Sequence, residues 1–201
     1  MSQPIEFWFE FSSPYAYLAS ERIGAVAAKH GRSVDWRPFL LGIAFREEGT
    51  KPLTHYGAKG RYSTHDFARS ARLWSIPFTM PDPFPARALE APRLLLHLQA
   101  AGSDRAQPFL HAVFRAYFAG NRFIGDRETV LQIAAETGIE RSLAEAGMDD
   151  PVAKQALITQ TNHAVHERGI FGAPTMVADG EMFWGADRVD MLDLWLTQGG
   201  W

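Results

Sequence analysis

The 201-residue sequence contains no cysteine. Disulfide bonds, thiolate metal ligands and a cysteine nucleophile are therefore excluded. The sequence also lacks an apolar run long enough to cross a bilayer, and Glu6 and Glu10 interrupt its first apolar stretch, which argues against a signal peptide. We accordingly expect no contact with a membrane and, by default, a cytoplasmic location.

Positive charge is not in excess either. The formal net charge of -3 gives no electrostatic basis for binding nucleic acid, which is usually recognised by a basic surface. The hydrophobic content of 46% and the charged content of 21% are ordinary for a globular protein. The length suits one compact domain, or a small domain that carries an insertion.

The amino-terminal part changes from the period of a strand to that of a helix and back. Apolar residues alternate over 5–11, which predicts a strand, and recur at helical spacing from Tyr15 to Ala27. Gly31 is a suitable end for this helix, and residues 34–40 predict a second strand, in which a proline indicates a sheet edge or the strand's end. Two strands joined through a helix are expected to be parallel.

The middle of the sequence is predicted to be helical. Residues 42–62 lack clear periodicity and are expected to form a loop, and the proline-rich segment 77–85 is expected to be irregular. Helices are predicted at 65–74, 88–101, 107–118, 127–136 and 150–168. Residues 45–167 are therefore expected to form an inserted α-helical domain, while 1–44 and 168–201 together form the other domain.

Strands return at the end of the chain. TMVA (175–178), the turn Asp179-Gly180 and EMFW (181–184) predict a β-hairpin. A last helix is expected through Leu196, with Asp190 in its first turn. The whole order is βαβ, a helical insertion and then ββα, which is an α/β fold.

Three short motifs could carry chemistry, and the first is Ser13-Pro14. A serine cap followed by proline is a common way to begin a helix, and for the motif alone this interpretation is favoured. The functional alternative depends on position. A helix that begins at the end of a strand offers unpaired amides and a positive dipole end, which favour a thiolate or another anion. Ser12 is expected only to separate Ser13 from the strand.

The other two motifs flank the hairpin. In GAPT, Pro174 either starts a strand in the trans form or forms a cis peptide that exposes the backbone of Ala173 to a peptide-like ligand. In GADR, Asp187 either caps the last helix or, together with the amide of Ala186, faces the charged ends of a ligand.

The motifs and the order of elements together resemble a known family. The order βαβ, proline turn, ββα is that of a thioredoxin-like fold with a large α-helical insertion after the second strand. FEFSSPYAYL, GAPT and MFWGADRVDML, with RPFLLGI (37–43) and GTKP (49–52), resemble the kappa-class glutathione transferases and 2-hydroxychromene-2-carboxylate isomerases of the DsbA-like superfamily. The resemblance runs along nearly the whole chain, and the ordered set is more specific than SPY alone.

This resemblance implies an enzyme that uses glutathione as its cofactor. Thioredoxin-like oxidoreductases carry Cys-x-x-Cys in the first turn of the first helix, where this chain has SPYA, so disulfide exchange is excluded. The resemblance implies instead that Ser13 contacts the glutathione sulfur as the catalytic residue. The glutathione contacts that it implies are Ser13, Pro14, Tyr15, Thr50, Lys59, Ala173, Pro174, Ala186 and Asp187. Where the family commonly has Asn, Thr50 offers one hydroxyl in place of an amide.

The implied reaction interconverts 2-hydroxychromene-2-carboxylate and trans-o-hydroxybenzylidenepyruvate by reversible addition of the glutathione thiolate. A kappa-type transferase or peroxidase is one alternative, and a non-catalytic thioredoxin-like peptide-binding module is another. The resemblance also implies a small aromatic carboxylate as partner and a homodimer, while charge and hydropathy already argue against nucleic acid and membrane as partners. The cations that could attract the substrate carboxylate are Lys51, Lys59, Arg61, Arg69 and Arg72.

Other residue patterns are less specific. His163 and His166 lie three apart on a predicted helix, as metal ligands can, but no third ligand has a recognisable spacing, so no metal is expected. Ser13 lacks the G-x-S-x-G elbow of serine hydrolases. Four aromatic residues either belong to the core, which is the default, or line a cavity for an aromatic substrate. These residues are Trp8, Phe39, Phe84 and Trp184.

Overall fold

The chain folds around a four-stranded mixed sheet. The computed structural model describes residues 3–201. The strands are β1 (Ile5–Phe9), β2 (Val34–Pro38), β3 (Thr175–Ala178) and β4 (Glu181–Trp184). They lie in the order β2-β1-β3-β4, with β1 parallel to β2 and the other two pairs antiparallel. The predicted βαβ start and the predicted hairpin are confirmed, and the edge strand β2 ends at its proline.

Helices surround this sheet. The α-helices are α1 (Pro14–Lys29), α2 (Leu41–Glu47), α3 (Gly57–Leu73), α4 (Glu90–Ala100), α5 (Ala106–Phe118), α6 (Arg127–Glu136), α7 (Arg141–Asp149), α8 (Pro151–Asn162) and α9 (Val189–Gln198). Turns of 3₁₀ helix occur at Leu53–His55 and Ala186–Arg188. The helix predicted over 150–168 is α8 continued by a π-helical turn, His163–Glu167. Among the described residues, no helix combines the length and the apolarity needed to span a membrane.

Strand β1 is central because both of its faces are buried. Phe7 and Phe9 belong to the larger hydrophobic core, together with residues of α1, α4 and α5. Trp8 points to the opposite face and packs in a smaller core with Phe39 and Val177. Since successive residues of a strand face opposite sides, a continuous apolar run is what a strand covered on both faces requires.

The larger core joins the sheet to the helical insertion. Phe114 of α5 packs against Phe9, Phe11 and Tyr17, with ring centroids 5.4, 5.0 and 6.1 Å away. All four side chains are buried. These contacts hold the insertion over the end of β1, where α1 begins.

The loop predicted over 42–62 is wrong, because the segment contains most of α2, a 3₁₀ turn and the start of α3. Helix α2 buries only Leu41 and Ala44 and has no side-chain cap, so its sequence carries little helical pattern. A Cβ on Gly60 would lie 2.9 Å from the Thr54 carbonyl oxygen. That glycine permits close packing of α3 on the 3₁₀ turn, although in sequence it is typical of a loop.

Helix α7 lies outside the predicted elements. It buries three small or flexible residues, Ala144, Gly147 and Met148. A Cβ on Gly147 would lie 2.8 Å from Leu94 Cδ1 of α4, so the glycine lets the two helices approach. Glycine lowers intrinsic helix propensity, and packing against α4 therefore stabilises a helix that the local sequence does not predict.

Asp187 does not cap the last helix, contrary to the simpler of the two expectations. A 3₁₀ turn comes first, and α9 begins at Val189 with Arg188 in the cap position and no side-chain cap. Asp190 does lie in the first turn of α9, where a carboxylate interacts favourably with the helix dipole. The Asp187 carboxylate instead pairs with Arg188 at 3.0 Å.

Replacing Phe114 should destabilise the sheet and the insertion together, because its ring contacts both. We expect Phe114→Ala to lower the free energy of unfolding by about 3–5 kcal/mol, the usual cost of removing a buried aromatic ring. Urea denaturation followed by circular dichroism measures this change. Leu143→Ala, which truncates an exposed side chain of α7, is the control and should change stability by roughly 0.5 kcal/mol or less. Equal losses in the two variants would contradict the shared core.

Candidate functional site

The first sequence motif both begins α1 and contacts the far end of the chain. Ser13 Oγ accepts a hydrogen bond from the Ala16 amide at 3.2 Å, which is the helix cap expected from the sequence. The same Oγ donates to the carbonyl oxygen of Ala173 at 3.2 Å. Ser13 is 7% exposed, so its hydroxyl lies between the start of α1 and the turn before β3.

One amide stays unpaired at the start of α1. Pro14 has no N–H, and the amides of Ala16 and Tyr17 donate to the side chain and the carbonyl of Ser13. Within residues 3–201, the Tyr15 amide has no acceptor. This amide and the positive end of the helix dipole favour an anion beside Ser13.

The turn before β3 is buried except at Ala173. The Ala173–Pro174 peptide is cis, which confirms the cis form that was one of the two alternatives for this bond. Ala173 is partly exposed, and its amide finds no acceptor in the described part of the chain. The Trp184 indole packs on this turn, so closely that a Cβ on Gly172 would lie 2.3 Å from Trp184 Nε1. The turn therefore offers an amide and a carbonyl at its surface beside Ser13.

The GADR motif lies against this turn. The Gly185 amide donates to the Pro174 carbonyl oxygen at 3.0 Å. Gly185 has φ +118°, and a Cβ there would lie 2.5 Å from Asp187 Oδ1, so glycine is required at this position. Neither the Ala186 amide nor the Asp187 amide has an acceptor among the described residues. The start of the 3₁₀ turn thus has two amides without acceptors, one on the buried Ala186 and one on the exposed Asp187.

The three motifs therefore meet, although 160 residues separate Ser13 from Ala173. Ser13 contacts the proline turn, and the proline turn contacts Gly185. Asp187 lies close enough to Tyr15 that its negative charge helps to raise the pKa of that phenol. We call this set the three-motif frame: residues 13–15, 172–175 and 185–188.

The Tyr15 side chain ties the frame to the helical insertion. Its hydroxyl donates to Asp66 Oδ2 of α3 at 2.6 Å. Burial, followed by the hydrogen bond and charge of Asp66, raises the pKa of Tyr15 well above its ordinary value. The phenol consequently stays protonated and serves as a donor. Sequence reasoning did not identify Asp66, because no local sequence pattern marks a hydrogen bond to a residue 51 positions away.

A cavity of about 430 Å³ opens beside Tyr15. Its walls come from α1, the first 3₁₀ turn and α3, and they are mostly apolar, although the lining residues include one cation and three hydroxyl groups. The lining residues are Tyr15, Leu53, Ala58, Lys59, Tyr62 and Ser63. Two residues that the sequence resemblance implicated, Tyr15 and Lys59, therefore share one cavity.

Only one of the five candidate cations lines this cavity. Lys59 does so, with Nζ 5.5 Å from the Tyr56 ring centre. Arg69 is bound by the Asp66 carboxylate and by the Tyr62 hydroxyl. The other three, Lys51, Arg61 and Arg72, are exposed on the surface. Lys59 is consequently the cation best placed to attract an anion to the cavity.

Thr50 is not hydrogen-bonded to the frame. Its amide donates to the Phe45 carbonyl at 2.8 Å in the turn that follows α2, and its side chain is exposed. No hydrogen bond in the described part of the chain joins Thr50 to Ser13, Ala173 or Ala186.

Sequence reasoning missed a carboxyl group next to Ser13. The Ser12 hydroxyl donates to Glu10 Oε2 at 2.6 Å, and the Ser13 amide donates to the Glu10 carbonyl at 3.0 Å. Ser12 is thus more than a spacer. Although the residue keeps some exposed area, burial of the carboxyl group raises the pKa of Glu10 to about 7, opposed by its bonds from Ser12. The sequence feature that could have identified Glu10 is its Glu-x-Ser spacing to Ser12 at the end of a strand.

The remaining sequence candidates separate into core and surface. Trp8 and Phe39 are fully buried, so neither faces an open cavity, and Phe84 is partly buried. Trp184 is 53% exposed and packs edge-on against Phe171 beside the proline turn. Of the four aromatic candidates, Trp184 alone lies at the surface of the frame.

One of the two histidines, His163, has a local partner. His163 Nδ1 lies 3.0 Å from Glu167 Oε2 in the π-helical turn. In residues 3–201, no cluster of three or more His, Cys, Asp or Glu side chains is arranged to hold a metal ion.

Comparison with known proteins gives three related findings. Residues 4–196 match the family model of the DSBA-like thioredoxin domain. The chain is 30% identical to a 2-hydroxychromene-2-carboxylate isomerase of Pseudomonas putida, over 94% of this chain and 92% of that protein. It is 25% identical to glutathione S-transferase kappa 1 of Caenorhabditis elegans, over 94% of this chain and 88% of that protein.

A solved structure is also similar. The selenomethionine form of 2-hydroxychromene-2-carboxylate isomerase matches with a TM-score of 0.82 at 27% identity, covering 96% of this chain and 94% of that chain. The similarity therefore extends over the sheet and the helical insertion alike.

The Glu10 carboxyl should make stability depend on pH. Its pKa is about 7 in the folded chain and 4.5 as a model value, so the folded state holds its proton longer and stability falls as pH rises from about 4.5 to about 7. Each pKa unit corresponds to ~1.4 kcal/mol. Between pH 4 and pH 8, we expect the free energy of unfolding of Glu10→Gln to rise by on the order of 3 kcal/mol relative to that of the parent chain.

Denaturation with urea at several pH values measures this difference. Glu47→Gln, which makes the same change at an exposed position of α2, is the control and should follow the parent chain. A Glu10→Gln profile parallel to that of the parent chain would contradict the raised pKa.

Proposed function

The chain belongs to the DsbA-like thioredoxin family and, within it, to the 2-hydroxychromene-2-carboxylate isomerases and kappa-class glutathione transferases, and from this premise we propose that it is a glutathione-dependent isomerase. The reaction we assign interconverts 2-hydroxychromene-2-carboxylate and trans-o-hydroxybenzylidenepyruvate in the degradation of aromatic compounds. One observation carries the proposal. The Ser13 hydroxyl lies buried between α1 and Ala173 in a chain without cysteine, so the sulfur must come with a ligand.

Ser13 and Tyr15 are suited to hold a thiolate. The bond from Ser13 Oγ to the Ala173 carbonyl is 3.2 Å, longer than the 2.7–2.8 Å typical of hydroxyl donors. The hydroxyl therefore gives up little when it turns to donate to an anionic sulfur, for which hydrogen bonds are stronger. The unpaired Tyr15 amide and the dipole of α1 add to this stabilisation, which lowers the pKa of a thiol.

The rest of the frame suits the peptide part of glutathione. The unpaired amide and the carbonyl of Ala173 can bind an extended peptide backbone, as sheet edges do. The amides of Ala186 and Asp187 can donate to the γ-glutamyl carboxylate, while the Asp187 side chain attracts its ammonium group. The frame would thus bind glutathione along its length, with Ser13 at the sulfur, Ala173 at the peptide backbone, and Ala186 and Asp187 at the γ-glutamyl end.

The cavity beside Tyr15 suits the substrate. Its apolar walls, which include Leu53 and the Tyr62 ring, would bury an aromatic group, and Lys59 would attract the carboxylate. Glutathione would supply a thiolate that adds reversibly to a conjugated carbon, which turns a double bond into a single bond that can rotate before sulfur is expelled. Tyr15, held as a donor by Asp66, would fix the wall between sulfur and substrate.

A kappa-type transferase is the second candidate. The 25% identity to glutathione S-transferase kappa 1 of Caenorhabditis elegans favours it, and it would use the same frame for glutathione. The two functions differ in the fate of the sulfur, which leaves again in the isomerase and stays in the product in the transferase.

Ser13→Ala should raise the pKa of bound glutathione. The loss of one hydrogen bond to a charged sulfur corresponds to about 1–2 pKa units, measured by ultraviolet absorbance of the thiolate as pH is varied. Ser20→Ala is the matched control, because it removes a buried hydroxyl of the same helix that donates only to the Tyr17 carbonyl. The same thiol titration in Ser13→Ala and the parent chain would remove Ser13 from this role.

Glutathione should be needed only in catalytic amounts. With 2-hydroxychromene-2-carboxylate as substrate, we expect turnover to require glutathione while the concentration of free thiol stays constant. Chromatography of substrate and product, together with a thiol assay, measures both quantities. Consumption of one thiol per product would indicate the transferase, and an unchanged substrate with bound glutathione would contradict the assigned reaction.

A further inference from the structure

One arginine of α1 reaches the GADR motif and was not among the sequence candidates. Arg22 Nη1 donates to the Ala186 carbonyl oxygen at 3.1 Å, and Nη2 pairs with the Asp190 carboxylate. The Arg22 side chain is only 17% exposed. We propose that Arg22 is a positioning residue that holds the Ala186–Arg188 turn against the proline turn, and through it the amides that bind glutathione's γ-glutamyl end. The ligand part of this inference rests on the proposed function.

The turn needs such a support because its own sequence provides little. No side chain caps the 3₁₀ turn or α9, and Gly185 adopts φ +118°, which L side chains rarely do. The Gly185 amide is fixed by the Pro174 carbonyl at 3.0 Å. Arg22 adds a charge-assisted hydrogen bond one residue further along, and bonds of this kind are stronger than neutral ones.

The guanidinium group is itself fixed from a third side. Arg22 Cζ lies 4.1 Å from the centre of the Trp74 ring, at the end of α3. The same helix carries Lys59, Tyr62 and Ser63 of the cavity wall. A planar guanidinium can stack on a ring and still donate in its plane, so one side chain connects the γ-glutamyl side of the frame with the helix that lines the cavity.

Arg22 acts through the backbone and not on the ligand's charge. Asp190 pairs with the positive charge of the guanidinium, and Nη1 and Nη2 each already donate to an acceptor, the Ala186 carbonyl and the Asp190 carboxylate. The effect on glutathione is therefore expected in affinity, whereas the thiol chemistry at Ser13 stays as it is.

Four variants separate the contacts. Arg22→Met removes both hydrogen bonds, while Arg22→Lys keeps the charge without the planar fork. Asp190→Asn weakens the ion pair and leaves the bond to Ala186. Lys29→Met is the matched control, since it removes a second ion pair between α1 and α9, Lys29 with Asp193, outside the frame.

Isothermal titration with glutathione gives the first measurement. We expect Arg22→Met to raise the Kd for glutathione about tenfold, as loss of a hydrogen-bond contribution predicts. Arg22→Lys should restore part of this affinity. Asp190→Asn, which keeps the bond to Ala186, should change Kd by about threefold or less. Lys29→Met should bind like the parent chain, and the thiol pKa of bound glutathione should be the same in all four variants. Equal affinity in Arg22→Met and Lys29→Met would overturn the proposal.

Hydrogen exchange in the absence of ligand gives the second measurement. Arg22→Met should speed the exchange of the Gly185 and Val189 amides, which donate to Pro174 and Ala186, by about tenfold relative to Lys29→Met. Unchanged exchange would overturn the role of Arg22 even if affinity falls. If the parent chain does not bind glutathione, the proposed function fails, whereas this exchange experiment still decides whether Arg22 holds the turn.

Discussion

The candidate site depends on one long-range hydrogen bond, from Ser13 Oγ to the Ala173 carbonyl. It brings the start of α1 to the turn before β3, and the pairing of β1 with β3 puts the two elements side by side. The bond is weak by itself, so its geometry must be maintained by the surrounding packing. The burial of β1 on both faces and the Phe114 contacts supply that rigidity.

The frame combines closely packed side chains with backbone amides that lack hydrogen-bond acceptors. Buried side chains fix the ends of the strands, whereas the amides of Tyr15, Ala173, Ala186 and Asp187 have no acceptor among the described residues. Unpaired backbone groups are costly when buried. Tyr15, Ala173 and Asp187 keep exposed area through which solvent or a ligand can satisfy them, whereas Ala186 is buried. Two side chains from helices contact the frame: Arg22, further along α1, bonds to Ala186, and Asp66 of α3 bonds to Tyr15.

Sequence periodicity predicted the elements whose patterns are local. The alternation before Phe11, the Asp179-Gly180 turn and the Ser13 cap each act within a few residues, and the structure has the corresponding strand, hairpin and helix start. It missed α2, which buries two residues only, and α7, whose glycine fits against α4. It also missed Arg22, because its partner is 164 residues away and no local pattern marks such a pair.

The sheet order has a consequence for how the protein is made. Strand β1 lies between β2, which follows it closely, and β3, which comes near the end of the chain. On the ribosome, β1 and α1 emerge long before the turn that Ser13 contacts, and 160 residues separate the two partners. Contacts between such distant segments form late, so a nascent chain that has completed the helical insertion still has an open edge on β1 and lacks the three-motif frame.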